Sequence, residues 1–174
     1  MSLMDSDPVE FIKGTFRDPA AVGSIFPSSK YLAREYIRDF EFDEETTVIE
    51  LGPGTGPITE LYYEQMDNPG NYVGIEQDED YVEVLRERFP EFTFFAGSAE
   101  QMDEYAAEAG LGDSIDMIGS ALPFATLPKP VQKTVFEKIN MLLKEPGSEF
   151  LAVQLAHAWP VSSAVEFRAR VDSM

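Results

Sequence analysis

The sequence predicts an α/β protein with a Rossmann-like, doubly wound and mainly parallel sheet, capped by amino-terminal helices. From residue 46 onward, short β-branched or aromatic runs alternate with longer amphipathic runs, which is the pattern of strands and helices taken in turn. The short runs are apolar, as expected of strands that helices cover on both faces. A glycine-rich turn also follows the first run directly. In such a fold, ligands bind beyond the carboxyl ends of the strands, so the site is expected at that edge.

Residues 1–45 are predicted to form the helical cap, in two pieces. The first covers about residues 8–16, because a proline suits the first turn of a helix, and the second covers residues 30–40, after serines that can cap it. Residues 46–174 follow as the ligand-binding domain. No internal repeat, low-complexity linker or composition break separates the two parts, so they are expected to form one structural unit.

The elements of the ligand-binding domain are expected in strict alternation. Strands are predicted at residues 46–51, 71–76, 92–95, 114–120 and 149–157, and helices near 57–66, 78–89, 99–109 and 129–143. Strands that alternate with helices in this way pair in parallel through right-handed crossovers.

The composition excludes several kinds of chemistry. The chain has no cysteine and a single histidine, His157, which excludes disulfides, thiolate ligands and multi-histidine metal sites, so no metal is expected. Neither a signal peptide nor an apolar run of roughly 18 residues is found, and the expected location is therefore the cytoplasm.

The balance of charge is strongly acidic. Asp and Glu number 32 against 13 Lys and Arg, which gives a net charge of −19 spread along the chain. Such a charge opposes binding to nucleic acid phosphates and to anionic lipid surfaces. The expected partners therefore exclude nucleic acid and allow at most peripheral contact with a membrane.

The glycine-rich turn reads ELGPGTG and contains Gly52, Gly54 and Gly56. Glycines allow a tight turn and let backbone N–H groups approach a ligand closely. The dinucleotide fingerprint fails, because it needs glycine at position 57 or 59, where Pro57 and Thr59 stand. The phosphate-binding P-loop pattern fails as well, since no Gly-Lys-Ser/Thr follows. The turn therefore indicates a cofactor site that is not typical of NAD.

An acidic residue ends the next strand. Glu76 follows Gly56 by twenty residues, a spacing at which a carboxylate can accept hydrogen bonds from both hydroxyls of a ribose. Glu76 could instead stabilise the start of the next helix, but Asp78, Glu79 and Asp80 already fill that role. The pattern favours a ligand that contains adenosine.

Four segments in this order resemble the successive motifs of class I S-adenosylmethionine methyltransferases: VIELGPGTG, YVGIE, FFAGSAEQM and IDMIGSALPF. The resemblance covers about residues 46–157. Within that class, the upstream VGSIFPSS and the later ALPF are similar to bacterial phospholipid N-methyltransferases, which are relatives of the ribosomal RNA adenine dimethylases. The implied cofactor is S-adenosylmethionine.

The resemblance also implies roles for individual residues. Gly52, Gly54 and Gly56 would surround the methionine part of the cofactor, Glu76 would hold the ribose, and Glu50 would orient the ammonium group or a water near it. The adenine would lie near Ser98 and Ala99, where the family usually has Gly-Asp-Ala and a serine can still accept one hydrogen bond. Ser28 lies in VGSIFPSS, which is expected to fold over the cofactor.

The fourth motif concerns the methyl acceptor. Enzymes that methylate base amines carry Asn or Asp, then any residue, Pro and Tyr or Phe, whereas this chain has Ala121 at the first of these positions. Adenine methylation is therefore disfavoured. Pro123 and Phe124 are expected at the acceptor, where the ring would make cation–π or apolar contact, and the alternative for Phe124 is a core position. His157 would take a proton from an amine, or be a loop histidine without a catalytic part.

These observations predict a methyltransferase that moves a methyl group to an amine, with a phosphatidylethanolamine-type headgroup as the expected acceptor. A soluble amine and a non-catalytic S-adenosylmethionine-binding module are the alternatives. The resemblance implies two further strands after the fifth, which are expected to be missing if the chain is truncated at Met174. The fifth strand is then expected to be a sheet edge that can pair in a homodimer.

Overall fold

A single parallel sheet organises the part of the chain that the computed structural model describes, which is residues 40–152 together with Arg34, Ile37 and Arg38. Its strands within this part are β1 (Val48–Leu51), β2 (Tyr72–Glu76), β3 (Thr93–Ala96), β4 (Met117–Ser120) and β5 (Glu149–Ala152). Their order is β3-β2-β1-β4-β5, and every adjacent pair runs parallel. The chain moves outward from β1 on one side and then returns to its other side. The carboxyl ends of β1 and β4 therefore form the switch point at which such sheets bind ligands.

Helices connect the strands. In the described residues they are α1 (Thr59–Gln65), α2 (Glu79–Arg88), α3 (Met102–Glu108) and α4 (Lys129–Leu142), with short 3₁₀ turns at Pro69–Asn71, Ala99–Gln101 and Phe124–Thr126. Local chemistry sets the start of α2, where the Asp78 side chain accepts the Asp80 N–H at 3.0 Å.

Both faces of the sheet are covered, because neighbouring residues on each strand enter different core clusters. Val48 packs with Tyr62 and Leu85 on one face, whereas Ile49 packs with Val135 and Ile118 in the cluster on the other face. All of these side chains are buried. The predicted α/β fold with a doubly covered, parallel sheet is confirmed.

Strands β1, β2 and β4 begin one to three residues later than the predicted runs, β3 is displaced by one residue, and β5 begins where it was predicted. Thr47, just before β1, donates to Asp116 Oδ2 from both its backbone N–H and its hydroxyl, at 2.8 Å each. Asp116 lies just before β4, so this pair fixes the start of the two central strands against each other. The sequence pattern does not show where a strand begins, because it does not reveal that a polar residue such as Thr47 bonds to a distant side chain instead of pairing in the sheet.

The predicted helical cap falls almost wholly outside the described residues. Arg34, Ile37 and Arg38 are helical, and Ile37 is buried in the cluster that contains Val48. The residues that follow Ala152, including the end of the predicted fifth strand, also lie outside the described part. None of the helices that the structure describes is both long and apolar enough to cross a membrane.

Candidate active site

The glycine-rich turn leaves the sheet at the carboxyl end of β1. All three of its glycines have positive φ, at 70° for Gly52, 59° for Gly54 and 85° for Gly56, a conformation that favours glycine. A Cβ at Gly52 would lie 2.7 Å from the Leu122 side chain, and one at Gly56 would lie 2.7 Å from that of Phe89. A Cβ at Gly54 would meet nothing within 4 Å. Gly52 and Gly56 thus permit close packing, whereas Gly54 borders open space.

Glu76 joins this turn to the neighbouring strand. Its Oε2 accepts the N–H of Gly54 at 2.9 Å, and its Oε1 accepts the N–H of Asp78 at 3.1 Å. Burial raises the pKa of Glu76, and these backbone donors act in the opposite direction. An ionised carboxylate has about four acceptor positions, so Glu76 can accept further hydrogen bonds from a ligand. The structure brings the two motifs together, and their direct hydrogen bond is a contact that the spacing alone did not reveal.

Glu50 lies beneath the turn and not in the cleft. Its side chain is 1% exposed, and its Oε2 accepts hydrogen bonds from the Tyr72 hydroxyl at 2.5 Å and the Thr59 hydroxyl at 2.8 Å. Burial raises the pKa of Glu50 to about 7, against the lowering effect of these two bonds. Glu50 does not line the cleft, and its expected role in orienting the ammonium of the cofactor or a water near it stays a prediction. In the structure, Glu50 links β1 to β2 and to the start of α1.

Two glycines make room for this buried carboxyl group. Gly74 on β2 and Gly119 on β4 both stand level with Glu50 in the sheet. A Cβ at Gly119 would lie 2.1 Å from the Tyr62 hydroxyl, and one at Gly74 would lie 3.1 Å from the Tyr72 hydroxyl. The missing side chain at Gly119 therefore leaves space for the Tyr62 hydroxyl. The one at Gly74 leaves space for the Phe94 ring, 2.5 Å from such a Cβ, and for Tyr72, which bonds to Glu50.

An open cleft lies beyond the carboxyl ends of the strands. Five of the residues expected from the sequence line it: Gly52, Glu76, Ser98, Ala99 and Pro123. Nine further residues complete the wall: Ile75, Gln77, Gly97, Glu100, Leu122, Leu127, Pro128, Val131 and Val135. Gln77, which follows YVGIE, and Glu100, which lies inside FFAGSAEQM, could have been found from the motifs. Val131 and Val135 could not, because an apolar helix face gives the same pattern whether it meets core or ligand.

Ser98 has a structural role in this wall. Its side-chain oxygen accepts the N–H of Glu100 at 3.2 Å and so caps the 3₁₀ turn Ala99–Gln101. Its hydroxyl group lies 3.4 Å from Glu100 Oε2. The serine thus orients its neighbour as well as lining the cleft.

Phe124 is a correction to the expected acceptor site. Its side chain is 0% exposed and lies in the core, with its ring centroid 5.2 Å from that of Phe136 and 6.3 Å from that of Phe150. Of the two roles open to it from the sequence, the structure supports the core position, because the ring is fully buried against Phe136 and Phe150 and does not line the cleft. His157 and Ser28, the remaining expected site residues, lie outside the described part of the chain.

The end of β4 forms the part of the cleft next to the glycine turn. Ala121 N–H donates to the Leu51 carbonyl at 3.0 Å, and the Ser120 hydroxyl accepts the Leu122 N–H at 3.2 Å. Ser120 is 2% exposed, so its hydroxyl serves the backbone. The cleft surface contributed here consists of Leu122 and Pro123, which are apolar.

The charge of the cleft limits what it can hold. Among the described residues that line it, the ionisable side chains are Glu76 and Glu100, and neither lysine nor arginine is present. A phosphate or pyrophosphate group would meet carboxylates without a compensating cation. A nucleoside whose remaining charge is positive suits this wall, since Glu76 can hold ribose hydroxyls and Gly54 leaves open space. S-adenosylmethionine fits these requirements.

Comparisons with known proteins agree with this geometry. A family model described as a methyltransferase domain matches residues 42–164. An ornithine lipid N-methyltransferase from Singulisphaera acidiphila is 29% identical over 141 residues, which covers 79% of this chain and 73% of that protein. A ribosomal RNA small subunit methyltransferase A from a Hydrogenobaculum species is 28% identical over 143 residues, and the match spans 54% of its length.

A solved structure of a TehB-like SAM-dependent methyltransferase from Corynebacterium glutamicum shares the fold. Its TM-score to this chain is 0.57 at 19% identity, and the likeness covers 95% of this chain and 84% of that one. At this identity the likeness shows the architecture alone.

Proposed function

The chain belongs to the methyltransferase-domain family as an S-adenosylmethionine-dependent enzyme of class I, and on this premise we propose that its methyl acceptor is an amine on a membrane lipid headgroup. A phosphatidylethanolamine-type headgroup is the acceptor that the motifs VGSIFPSS and ALPF suggest. The likeness to an ornithine lipid N-methyltransferase supports the same class of acceptor, an amine carried by a lipid.

The observation that carries this proposal is the wall at the end of β4. Leu122 and Pro123 line the cleft there, and Ala121 stands where an enzyme acting on a base amine needs a side-chain amide or carboxylate. An aliphatic primary amine does not need such a planar clamp. It needs an apolar path to the methyl donor and exclusion of water.

The described residues would act mainly by positioning the reactants. S-adenosylmethionine supplies a methyl group that its sulfonium already activates for displacement. Glu76 would hold the ribose by accepting hydrogen bonds from its hydroxyls, and the open side of Gly54 would receive the amino acid part. Leu122 and Pro123 would exclude water from the path of the amine. The cleft would hold an uncharged amine in line with this methyl group, so that the C–S bond would break as the N–C bond forms. S-adenosylhomocysteine would leave, the methylated ammonium would lose a proton to solvent, and orientation would provide most of the acceleration.

Ribosomal RNA is the competing acceptor, because the chain is also similar to ribosomal RNA methyltransferases. The net charge of −19 opposes the approach of an RNA backbone, and Ala121 cannot hold a base amine by a side-chain hydrogen bond. Both features speak against RNA as the acceptor, and neither distinguishes a lipid headgroup from a small amine.

Labelled methyl transfer tests the proposal directly. Purified full chain would be incubated with labelled S-adenosylmethionine and, side by side, with phosphatidylethanolamine vesicles, ornithine lipid vesicles, soluble ethanolamine and ribosomal RNA, at low and high salt. We expect label in one of the two lipid samples. Label in RNA alone would overturn the proposal, and label in soluble ethanolamine alone would keep the amine chemistry but discard the lipid.

A further inference from the structure

Two arginines in the last turn of α2 each donate a hydrogen bond to a backbone carbonyl group of another element. Arg86 Nη2 donates to the Phe94 carbonyl on β3 at 2.7 Å. Arg88 Nη1 donates to the Thr55 carbonyl in the glycine-rich turn. Both arginine side chains are exposed. Arg88 therefore connects α2 with the turn that borders the cleft, whereas Arg86 connects the same helix with a strand.

The guanidinium group of Arg88 is itself held in place. Its central carbon lies 4.9 Å from the centroid of the Phe89 ring, which is within the range of a cation–π contact. Phe89 is buried, so the ring forms a fixed support for the guanidinium. A planar group that is stacked in this way loses less conformational entropy when it donates a hydrogen bond. The bond to Thr55 is therefore made by a side chain that is already oriented, although it is exposed.

Strand β2 and helix α2 together contact three successive residues of the turn. Gly54 N–H donates to Glu76 Oε2 at 2.9 Å, and the Thr55 carbonyl accepts from the arginine. A Cβ at Gly56 would lie 2.7 Å from the Phe89 side chain, so this glycine packs directly on the end of α2. Without the bond at Thr55, the peptide group before Gly56 is free to rotate, because glycine allows a wide range of φ.

We propose that Arg88 is a positioning residue for cofactor binding, which fixes the peptide group between Thr55 and Gly56 and so holds the glycine-rich turn in the conformation that borders the cleft. Arg88 is not among the described residues that line the cleft, so it acts through the turn and not by touching the ligand. This inference rests on the S-adenosylmethionine site of the proposed function, which it deepens by naming a residue outside the cleft on which the site depends.

Hydrogen exchange in the ligand-free chain tests the hold on the turn without any cofactor. Peptides that cover residues 52–60 would be followed by mass spectrometry in the unmodified full chain, in Arg88→Ala and in Arg86→Ala. We expect the turn to exchange about three- to tenfold faster in Arg88→Ala, because the loss of one hydrogen bond favours local opening by this factor. Arg86→Ala removes an arginine from the same helical turn and should leave the exchange within about twofold of the unmodified chain.

Calorimetry then measures the consequence for binding. Each protein would be titrated with S-adenosylhomocysteine and with S-adenosylmethionine, which differ by the positive charge on sulfur. We expect Arg88→Ala to weaken both ligands by the same factor, about three- to tenfold, because a displaced turn affects them equally. A direct effect of the arginine charge would instead change the two affinities differently. Arg86→Ala should bind both ligands as the unmodified chain does, and thermal unfolding would verify that each variant is folded.

The outcomes distinguish this inference from the proposed function. An unmodified chain that binds neither ligand would overturn the proposed function and this inference with it. Normal affinity of Arg88→Ala for both ligands would overturn the role of Arg88 alone and leave the methyltransferase site intact. A loss confined to one ligand would also overturn it, since the arginine would then act through its charge. Equal losses in Arg86→Ala would do the same, because the effect would belong to the stability of α2.

Discussion

At the scale of single residues, Glu50 determines how the stability of the protein depends on pH. Its carboxyl group is enclosed by Tyr72 and Thr59, and burial raises its pKa to about 7 from an ordinary value of 4.5. Its second oxygen has no hydrogen-bond partner among the described residues. A protonated carboxyl group at this oxygen avoids an uncompensated buried charge, so the cluster favours the neutral acid.

We predict that Glu50 makes the protein less stable as the pH rises from about 4.5 to 7. In this window the unfolded chain has released the proton whereas the folded chain keeps it, so the free energy of unfolding falls with increasing pH. The difference in pKa corresponds to a loss on the order of 3 kcal/mol. Urea unfolding at several pH values would measure it, with Glu50→Gln as the comparison. Equal pH slopes in both proteins would contradict the prediction.

Substitutions at two glycines, Gly54 and Gly110, can distinguish the effect of backbone strain from the effect of ligand contact. Gly54 and Gly110 both have positive φ, and a Cβ at either would meet nothing within 4 Å. We predict that Gly54→Ala and Gly110→Ala each cost about 1–2 kcal/mol of stability, because each puts a side chain in the left-handed region. Only Gly54→Ala should also weaken S-adenosylhomocysteine, at least tenfold, in calorimetry. Equal affinities in the two variants would show that Gly54 does not border the ligand.

At the scale of elements, the turn Phe124–Thr126 and the helix α4 divide their side chains between core and cleft. Phe124 packs on Phe136 inside the core, whereas Leu122, two residues earlier, lines the cleft. On α4, Val135 lies at the boundary, because it belongs to the core cluster and also lines the cleft. The cleft is therefore the open end of the core, and its shape depends on the same packing.

We predict that Phe124→Ala is a stability variant and not a variant of acceptor binding. Truncating a fully buried phenylalanine leaves a cavity and costs about 3–5 kcal/mol. Leu122→Ala should cost less stability, because Leu122 is half-buried, but should weaken S-adenosylhomocysteine. Denaturant unfolding and calorimetry on both variants would test this. A Phe124→Ala protein of normal stability with lowered acceptor turnover would restore the role expected from the sequence.

At the scale of the whole molecule, charge is the dominant property. The net charge of −19 is spread along the chain, and the ion pairs Lys133–Glu137 and Lys144–Asp113 are exposed, so they contribute little. Self-repulsion among the acids then opposes the compact state. The homodimer expected through the edge of β5 stays a prediction, because the residues after Ala152 lie outside the described part.

We predict that the melting temperature rises as NaCl is increased from about 0.05 to 0.5 M. Salt shortens the range of charge–charge interactions to a few ångströms. The repulsion among the many acids then loses more energy than the attraction within the few exposed ion pairs. Scanning calorimetry at neutral pH would measure the shift, with sodium sulfate at equal ionic strength to separate screening from the exclusion of salt from the surface. A melting temperature that falls with NaCl would show that attractive pairs dominate.

The sequence by itself determined the fold class, the glycine turn and the position of Glu76 at the end of a strand, because these depend on local pattern and on spacing along the chain. The class of cofactor followed from the resemblance of its motifs to a known family. Strand and helix periodicity, a run of glycines and an acid at the end of the next strand are all readable without contacts. The order of the strands was not readable in this way, yet it brings the ends of β1, β2, β3 and β4 into one cleft.

The tertiary structure alone decided which side chains reach that cleft. Glu50 stands one residue before the end of β1 and Glu76 ends β2, but Glu50 is buried and bonded to Tyr72 and Thr59, whereas Glu76 enters the cleft wall. Phe124 enters the core, and Glu100, outside the residues singled out from the motifs, enters the cleft. The physical reason is that side-chain direction depends on register and on the packing of distant elements, and these are fixed by contacts between residues far apart in the chain.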